Sequence, residues 1–507
     1  MTEPLDPAAL AAALAVALPL AGALAALVMG RRAGDLFFVT GPAMALVAAA
    51  LVAGVAEGGP ARIAVGGFAP PLGIALVTDG LAATFVATTV AVMAAALAFA
   101  RGGLVARLRE TRRGYAFVAL AHLAWGALNA VFLSGDLFNL YVALELLSLA
   151  AIGLVALEGK AETLAAAIRY AFFALTGSLL YLSGAILLYA ATGTLDIALL
   201  GAHAPEGATT LVAGALMTAG LCAKTALFPL HAWLPPAHAG APAPASAILS
   251  GLVPKASFVV MARLWLEALP DAAGPALGPL LGGLGAAAIL YGSVLALRQE
   301  RLKLLVAYST IAQIGYLFLL FPLAGGALST QPWAAGAWSG AMLHGVSHAL
   351  AKAALFLAAG LVLARLGHDR IAGLSGLARA MPMTAFAIGL SAVTLMGLPP
   401  SGGFIAKYLL LVAAFASGEW AWGVILLAGG VLSALYLFPV LGRLFAKGDA
   451  EGEDAPEDEP TGPLPSRARE AIPLVLAGLA IALGFASAWP TALLAIGRPG
   501  AAMEGLE

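Results

Sequence analysis

Five ionisable side chains stand inside runs of sequence that are otherwise apolar: Glu145, Lys224, Lys255, Lys352 and Lys407. Glu145 lies within Phe-Asn-Leu-Tyr-Val-Ala-Leu-Glu-Leu-Leu (138–147), and Lys224 within Leu-Cys-Ala-Lys-Thr-Ala-Leu-Phe-Pro (221–229). In hydrocarbon each such charge costs roughly 2.5–3.5 kcal/mol, so the five together would cost on the order of 12–18 kcal/mol facing lipid. They must turn inward, pair or hydrate. One acid cannot neutralise four amines. The lysine partnered by Glu145 is therefore expected to be charged at rest, and at least one other to be neutral or readily discharged. Sites of this kind store protons, and mutual repulsion couples their occupancies.

Histidines extend the pattern. In His-Gly-Val-Ser-His-Ala-Leu-Ala-Lys (344–352), His344, His348 and Lys352 recur at i, i+4 and i+8, one above another on one helical face. Zinc is a poor reading, because lysine is a weak ligand and a third conventional ligand is missing. Satisfied core histidines are the plain alternative. A proton relay suits the group better, since imidazole gains and loses a proton most easily near neutral pH. His231 and His238, in Phe-Pro-Leu-His-Ala-Trp-Leu-Pro-Pro-Ala-His (228–238), suit either a proton entry at the cytoplasmic interface or the capping of a re-entering loop. His122 and Cys222 read as core packing, and His203 and His368 as loop residues.

The elements that hold these groups follow from composition. Of 507 residues, 62% are hydrophobic and 10% charged, with 60 glycines, a formal net charge of −1 and a single cysteine. Mean hydropathy is +0.96. A soluble globule could not cover such a core, and small residues favour close packing of membrane helices. The chain reads as an all-α polytopic membrane protein. This excludes a disulfide scaffold, a soluble enzyme and a nucleic-acid binder. Apolar stretches long enough for a ~30 Å layer are expected at 8–29, 36–54, 75–100, 114–134, 137–157, 166–190, 209–227, 243–266, 275–297, 301–323, 335–363, 380–415, 419–442 and 470–493, fourteen in all. Lys and Arg fall 19 on one side (Lys303 among them) and three, Arg62, Arg263 and Arg498, on the other. The positive-inside rule then puts both termini outside the cytoplasm. The first stretch carries Glu3 and Asp6 before it and no Lys or Arg, unlike a signal peptide.

Two stretches are interrupted, near 224–236 and at Gly-Leu-Pro-Pro-Ser-Gly-Gly (397–403). Proline removes backbone donors and glycine loosens the chain there. The breaks fall at spans seven and twelve, five helices apart, so a second five-helix unit would enter the membrane inverted. Broken helices at matching places in inverted halves point to an ion path. The expected organisation is an N-terminal three-helix segment (1–113), a first five-helix repeat (114–266), a second (275–442), an acidic cytoplasmic loop (443–469) and a C-terminal helix and tail (470–507). Seven acids within 449–459 suit a solvated tether better than a docking element. The external patch 55–74 is expected to hold short strands or irregular chain. No nucleotide-binding fingerprint sits in a strand-to-helix context and no cysteine cluster exists for iron–sulfur, so no cofactor is expected and energy must come from an ion gradient or a partner.

These residues, with Asp-Leu-Phe-Asn-Leu-Tyr-Val-Ala-Leu-Glu (136–145), Ala-Pro-Ala-Pro-Ala-Ser-Ala-Ile-Leu-Ser-Gly-Leu-Val-Pro-Lys (241–255), Ala-Tyr-Ser-Thr-Ile-Ala-Gln-Ile-Gly-Tyr (307–316) and Ser-Gly-Gly-Phe-Ile-Ala-Lys (401–407), resemble the antiporter-like, proton-pumping subunits of respiratory NADH:quinone oxidoreductase, membrane-bound hydrogenases and Mrp-type cation/proton antiporters. The resemblance spans about residues 75–442. It implies fourteen core helices with inverted repeats over spans 4–8 and 9–13 and discontinuous spans 7 and 12. It also implies that Glu145 pairs with Lys224, that Lys255, His348 and Lys352 carry a relay, and that Lys407 ends the second half-channel. A proton would enter from the cytoplasm, with Lys303 a weaker carry-over, and leave through Lys407.

Departures from the family pattern are Pro254 before Lys255, which would bend that helix, and Gln313, where many relatives have histidine. The chain also ends after the fourteenth span, without the lateral helix of the largest subunit type. Phe-Pro-Leu-His-Ala-Trp-Leu-Pro (228–235) looks most like the D-type antiporter subunit. The expected function is thus a proton-conducting subunit of a Na⁺/proton antiporter in a bacterial plasma membrane, with other integral membrane subunits as partners. The alternative is the N-type pumping subunit of a respiratory or hydrogenase complex, without a redox site of its own. A solute carrier would need a central polar pocket, and a scaffold would have no use for four buried lysines.

Overall fold

The computed structural model describes residues 7–106, 111–203, 205, 207–272, 274–324, 330–446 and 462–500. The acidic stretch 449–459, like Arg107, Arg109 and Lys447, lies outside the described residues. The chain is built from helices: α1 (Pro7–Met29), α2 (Phe37–Gly58), α3 (Gly80–Ala100), α4 (Arg112–Leu133), α5 (Leu137–Ala156), α6 (Ala161–Thr192), α7 (Ile197–His203), α8 (Ala208–Thr225), α9 (Leu234–Gly240), α10 (Ala243–Gly251) and α11 (Val253–Arg263). There follow α12 (Gly274–Leu297), α13 (Leu302–Phe318), α14 (Leu320–Ala324), α15 (Pro332–Leu366), α16 (Leu377–Ala380), α17 (Pro382–Met396), α18 (Gly402–Ala416), α19 (Trp420–Phe445), α20 (Arg467–Phe485) and α21 (Ala488–Ala495). The patch after α2 holds two short strands, β1 (Ala61–Ala64) and β2 (Ala75–Thr78), paired antiparallel with Ala61 opposite Thr78.

Eleven helical stretches among the described residues are long and apolar enough to cross a membrane, against an expectation of fourteen. The difference has local causes. The first stretch, Pro7–Gly58, runs through the tight turn Gly30–Leu36 and contains both α1 and α2. Helix α8 has 18 residues and carries Lys224 with four threonines, while α17 and α18 have 15 residues each. Large side chains such as Leu24, Phe172 and Val431 are exposed on the outside, as lipid contact requires. Inside, the packing is close where glycine permits it. At Gly177 of α6 and Gly220 of α8, a Cβ on either would strike the other's carbonyl oxygen, and Gly285 of α12 and Gly315 of α13 repeat the arrangement.

Three interruptions bring polar groups into this interior. At the end of α8 the chain turns through Ala226 in the left-handed region (φ 59°), and Leu227 N–H bonds back to Cys222 C=O at 3.1 Å. At the end of α17, Gly397 is left-handed (φ 78°) and Leu398 N–H bonds to Val393 C=O at 3.0 Å. Both are Schellman closures, and a proline follows each left-handed residue by three positions, Pro229 and Pro400. The third lies at Leu252, between α10 and α11. The break falls two residues before Pro254, which sits in the first turn of α11 and supplies no donor to the carbonyl of Ser250.

Candidate functional site

Glu145, on α5, faces α6 and α8. Its carboxylate lies 3.5 Å from Lys224 Nζ and accepts a short hydrogen bond from the Ser178 hydroxyl. Lys224 Nζ also donates to Ser148 Oγ at 2.9 Å, one turn along α5 from Glu145. Lys224 is 5% exposed and Glu145 22%. The expected pairing is present, and the two serines that complete it carried no weight in the sequence reading. Their signal was available, since Ser148 stands at i+3 from Glu145 on the same helical face.

Among the described residues the other three amines have no acid partner. Lys255 Nζ donates to the Ser250 carbonyl at 2.5 Å, a group left free where α10 stops. Ser250 Oγ meets Thr310 Oγ1 at 2.9 Å, and Thr310 donates to Val306 C=O at 2.8 Å. Lys352 Nζ donates to that same Val306 carbonyl at 2.9 Å and to Ser309 Oγ at 2.5 Å. Ser250, Thr310 and Val306 thus lie between Lys255 of α11 and Lys352 of α15, Ser250 accepting from Lys255 through its carbonyl and meeting Thr310 through its hydroxyl. Among the described residues no hydrogen bond joins Lys224 to Lys255.

Above Lys352, His348 and His344 stack with ring centres 5.8 Å apart and planes 2° apart, as the i, i+4 spacing predicts. His344 Nε2 donates to the Gln313 backbone carbonyl at 3.0 Å. Both ring nitrogens of His348 are buried without a hydrogen-bond partner among the described residues. Lys407 rises from α18 and donates to Leu395 C=O at 2.7 Å, with its ammonium 4.2 Å from the centre of the Tyr316 ring. The Gln313 side-chain amide donates to the same Leu395 carbonyl at 3.1 Å and to Ser433 Oγ at 3.2 Å. Gln313 therefore links the histidine pair to Lys407 through neutral donors.

The remaining candidates are placed differently. His231 is packed between Phe228 and Tyr291, ring centres 5.6 and 4.9 Å away, and is 8% exposed. His238 stacks on Phe356 at 4.6 Å. Lys303, expected on a loop, is instead buried in the first turn of α13. Its ammonium donates to Ala239 and Ala241 carbonyls at 3.4 and 2.7 Å, where α9 ends and presents unpaired acceptors. His122 is a core histidine, with Nδ1 2.8 Å from Val118 C=O and Nε2 3.0 Å from Thr40 Oγ1.

Arg263 requires a correction. Counted from sequence as an external loop charge, it is 1% exposed, and its Nη2 donates to Asp79 at 2.9 Å and its Nη1 to Glu267 at 3.0 Å. Asp79 also caps α3 by accepting from Ala82 N–H at 2.7 Å. No group of three or more metal-ligating side chains occurs among the described residues.

A helical membrane protein whose interior carries a row of ammonium, imidazole and amide groups is, as a class, an ion-translocating protein. The chain belongs to the NADH:quinone oxidoreductase/Mrp antiporter transmembrane family, whose profile matches residues 134–435. It is 38% identical over 419 residues to the N-type subunit of NADH-quinone oxidoreductase from Desulforudis audaxviator, covering 81% of each chain. It is 30% identical over 450 residues to the D-type subunit of the Na⁺/H⁺ antiporter from Alkalihalophilus pseudofirmus, covering 88% of this chain and 87% of that one. Its fold superposes on a chain of the Mrp complex from Dietzia sp. DQ12-45-1b with a TM-score of 0.85, at 26% identity over 97% of both.

Proposed function

We propose that the chain is a proton-conducting membrane subunit of a multisubunit complex, of the redox-linked N type. The observation that carries the proton path is the bonding of Lys255, Lys352 and Lys407. Each amine rests on carbonyls or hydroxyls and none on an acid, so losing a proton strands no carboxylate. The Glu145–Lys224 pair stands apart as the one acid-paired amine of the row among the described residues and controls occupancy of the rest. The proton passes from Lys255 to Lys352 and then by His348 and His344 to Lys407, with the hydroxyls of Ser250, Thr310 and Ser309 lining the first transfer and His231, His238 and Lys303 on the entry side. The 38% identity to an N-type relative supports the N type. The D-type component of a Na⁺/proton antiporter is the second reading, supported by the fold likeness to the Mrp complex.

In this reading the chain crosses fourteen times, with α8 and α17–α18 as the discontinuous seventh and twelfth spans and both termini outside the cytoplasm. The matched Schellman closures at Ala226 and Gly397 support two related halves. Replacing Glu145 or Lys224 by Ala is expected to abolish proton flux by the assembled complex in membrane vesicles, with subunit amounts unchanged. Wild-type flux at equal subunit amounts would defeat the proton path. Flux driven by quinone reduction supports the N type, and flux driven only by a Na⁺ gradient supports the D type.

A further inference from the structure

Where α1 turns into α2, the segment Gly30–Leu36 faces Arg101–Val105, the continuation of α3. Between them lies a cavity of about 300 Å³ lined by Arg31, Gly34, Asp35, Arg101, Val105 and Ala106. Arg101 is held from two sides: Nη2 donates to Asp35 at 3.3 Å, and the guanidinium lies 4.4 Å from the centre of the Phe38 ring. No carboxylate pairs with Arg31 among the described residues. Two guanidiniums against one carboxylate give the lining a net charge of +1. Gly34 lets the walls approach, since a Cβ there would stand 3.1 Å from Val105 Cγ1. Phe38, whose ring carries Arg101, is 58% exposed, and Val28 and Val39, close along the chain on either side of Gly30–Leu36, are 89% and 67% exposed.

A positive cavity bordered by exposed apolar side chains matches an amphiphile. We infer that this cavity binds the phosphate of an anionic phospholipid, with Arg31 and Arg101 donating to its oxygens and the acyl chains lying on the exposed faces of α1 and α2. Guanidinium is suited to phosphate by its fork of donors, and basic pockets between membrane helices recognise such headgroups. Inorganic phosphate would offer the same oxygens but leave the apolar border bare.

The test uses the complex extracted from its own membrane in mild detergent, offered equal amounts of phosphatidylglycerol and phosphatidylcholine, with bound lipid read by mass spectrometry. Phosphatidylglycerol is expected to be retained. The Arg31→Gln/Arg101→Gln variant should retain about 30-fold less, each charge contributing about fivefold. Arg379→Gln, an exposed arginine elsewhere, should retain as much as wild type. Arg31→Gln alone breaks no ion pair among the described residues and should lose about fivefold, which decides the matter if the double variant does not assemble. Retention unchanged in these variants, or no phosphatidylglycerol bound at all, would overturn the inference. Displacement of the lipid by millimolar inorganic phosphate would overturn the lipid assignment in favour of the free anion.

Discussion

Lys407 is held in place by a carbonyl that its own neighbour helix cannot use. Leu395 lies in the last turn of α17, where no later N–H is available, and its oxygen receives both Lys407 and Gln313. An amine there can surrender its proton while the amide keeps the carbonyl satisfied. Guanidinium does not deprotonate in proteins, so Lys407→Arg keeps the charge and removes the release step. That variant is expected to fold and assemble while vesicle proton flux falls by about 100-fold or more, the scale of a general acid–base group. Wild-type flux would make the ammonium a fixed structural cation. The lysines were legible in the sequence because charges in apolar runs announce themselves. Gln313 was legible only as the loss of a titratable group, because its partner carbonyl lies 82 residues away and is created by the end of α17.

At the scale of elements, the two Schellman closures differ in one respect that can be measured. Ala226 adopts a left-handed conformation that costs a residue with a Cβ roughly 1–2 kcal/mol, whereas Gly397 adopts it freely. Ala226→Gly is expected to raise stability by about 1 kcal/mol, and Gly397→Ala to lower it by a similar amount, in denaturant or thermal unfolding of the purified complex. The added Cβ at 397 would also lie 2.7 Å from Lys407 Cδ, so flux should suffer there and not at Ala226. The breaks themselves were legible as proline and glycine clusters, and most helix bounds followed hydrophobicity, although 75–78 forms a strand and the stretch 470–493 divides after Phe485 into α20 and α21. The Asp79–Arg263–Glu267 cluster was not. Counting cations on loops sees a residue's place along the chain but not a partner 184 positions away. Because a buried pair broken on one side leaves an uncompensated charge, Asp79→Ala is expected to cost about 3–5 kcal/mol. Asp35→Ala, whose pair is half exposed, should cost under about 1 kcal/mol. Comparable unfolding midpoints for the two variants would show the cluster to be solvated.

For the whole molecule, the polytopic class and the stacked histidine face could be read from the amino-acid order, because each depends on local composition or spacing; of the two strands β1 fell in the expected patch 55–74, while β2 (Ala75–Thr78) occupies the start of an expected span. How the amines are held could not, because the hydrogen bonds of Lys255, Lys352 and Lys407 go to backbone oxygens or hydroxyls contributed by other helices. The pair α17–α18 carries a consequence for how the protein is made. Each helix of 15 residues is about 22 Å long, short of a ~30 Å hydrocarbon layer. The five residues between them leave polar backbone that lipid cannot satisfy. Released singly from the insertion machinery, neither half has a stable place in the bilayer. Both pack against α15, which precedes them in synthesis. A reporter fused after residue 418 should cross the membrane efficiently when the fragment begins at 330 and poorly when it begins at 380. Equal crossing would mean that the halves insert unaided. Otherwise the break in the helix makes α15 a chaperone within the chain, and the order of translation becomes part of what lets this sequence reach its fold.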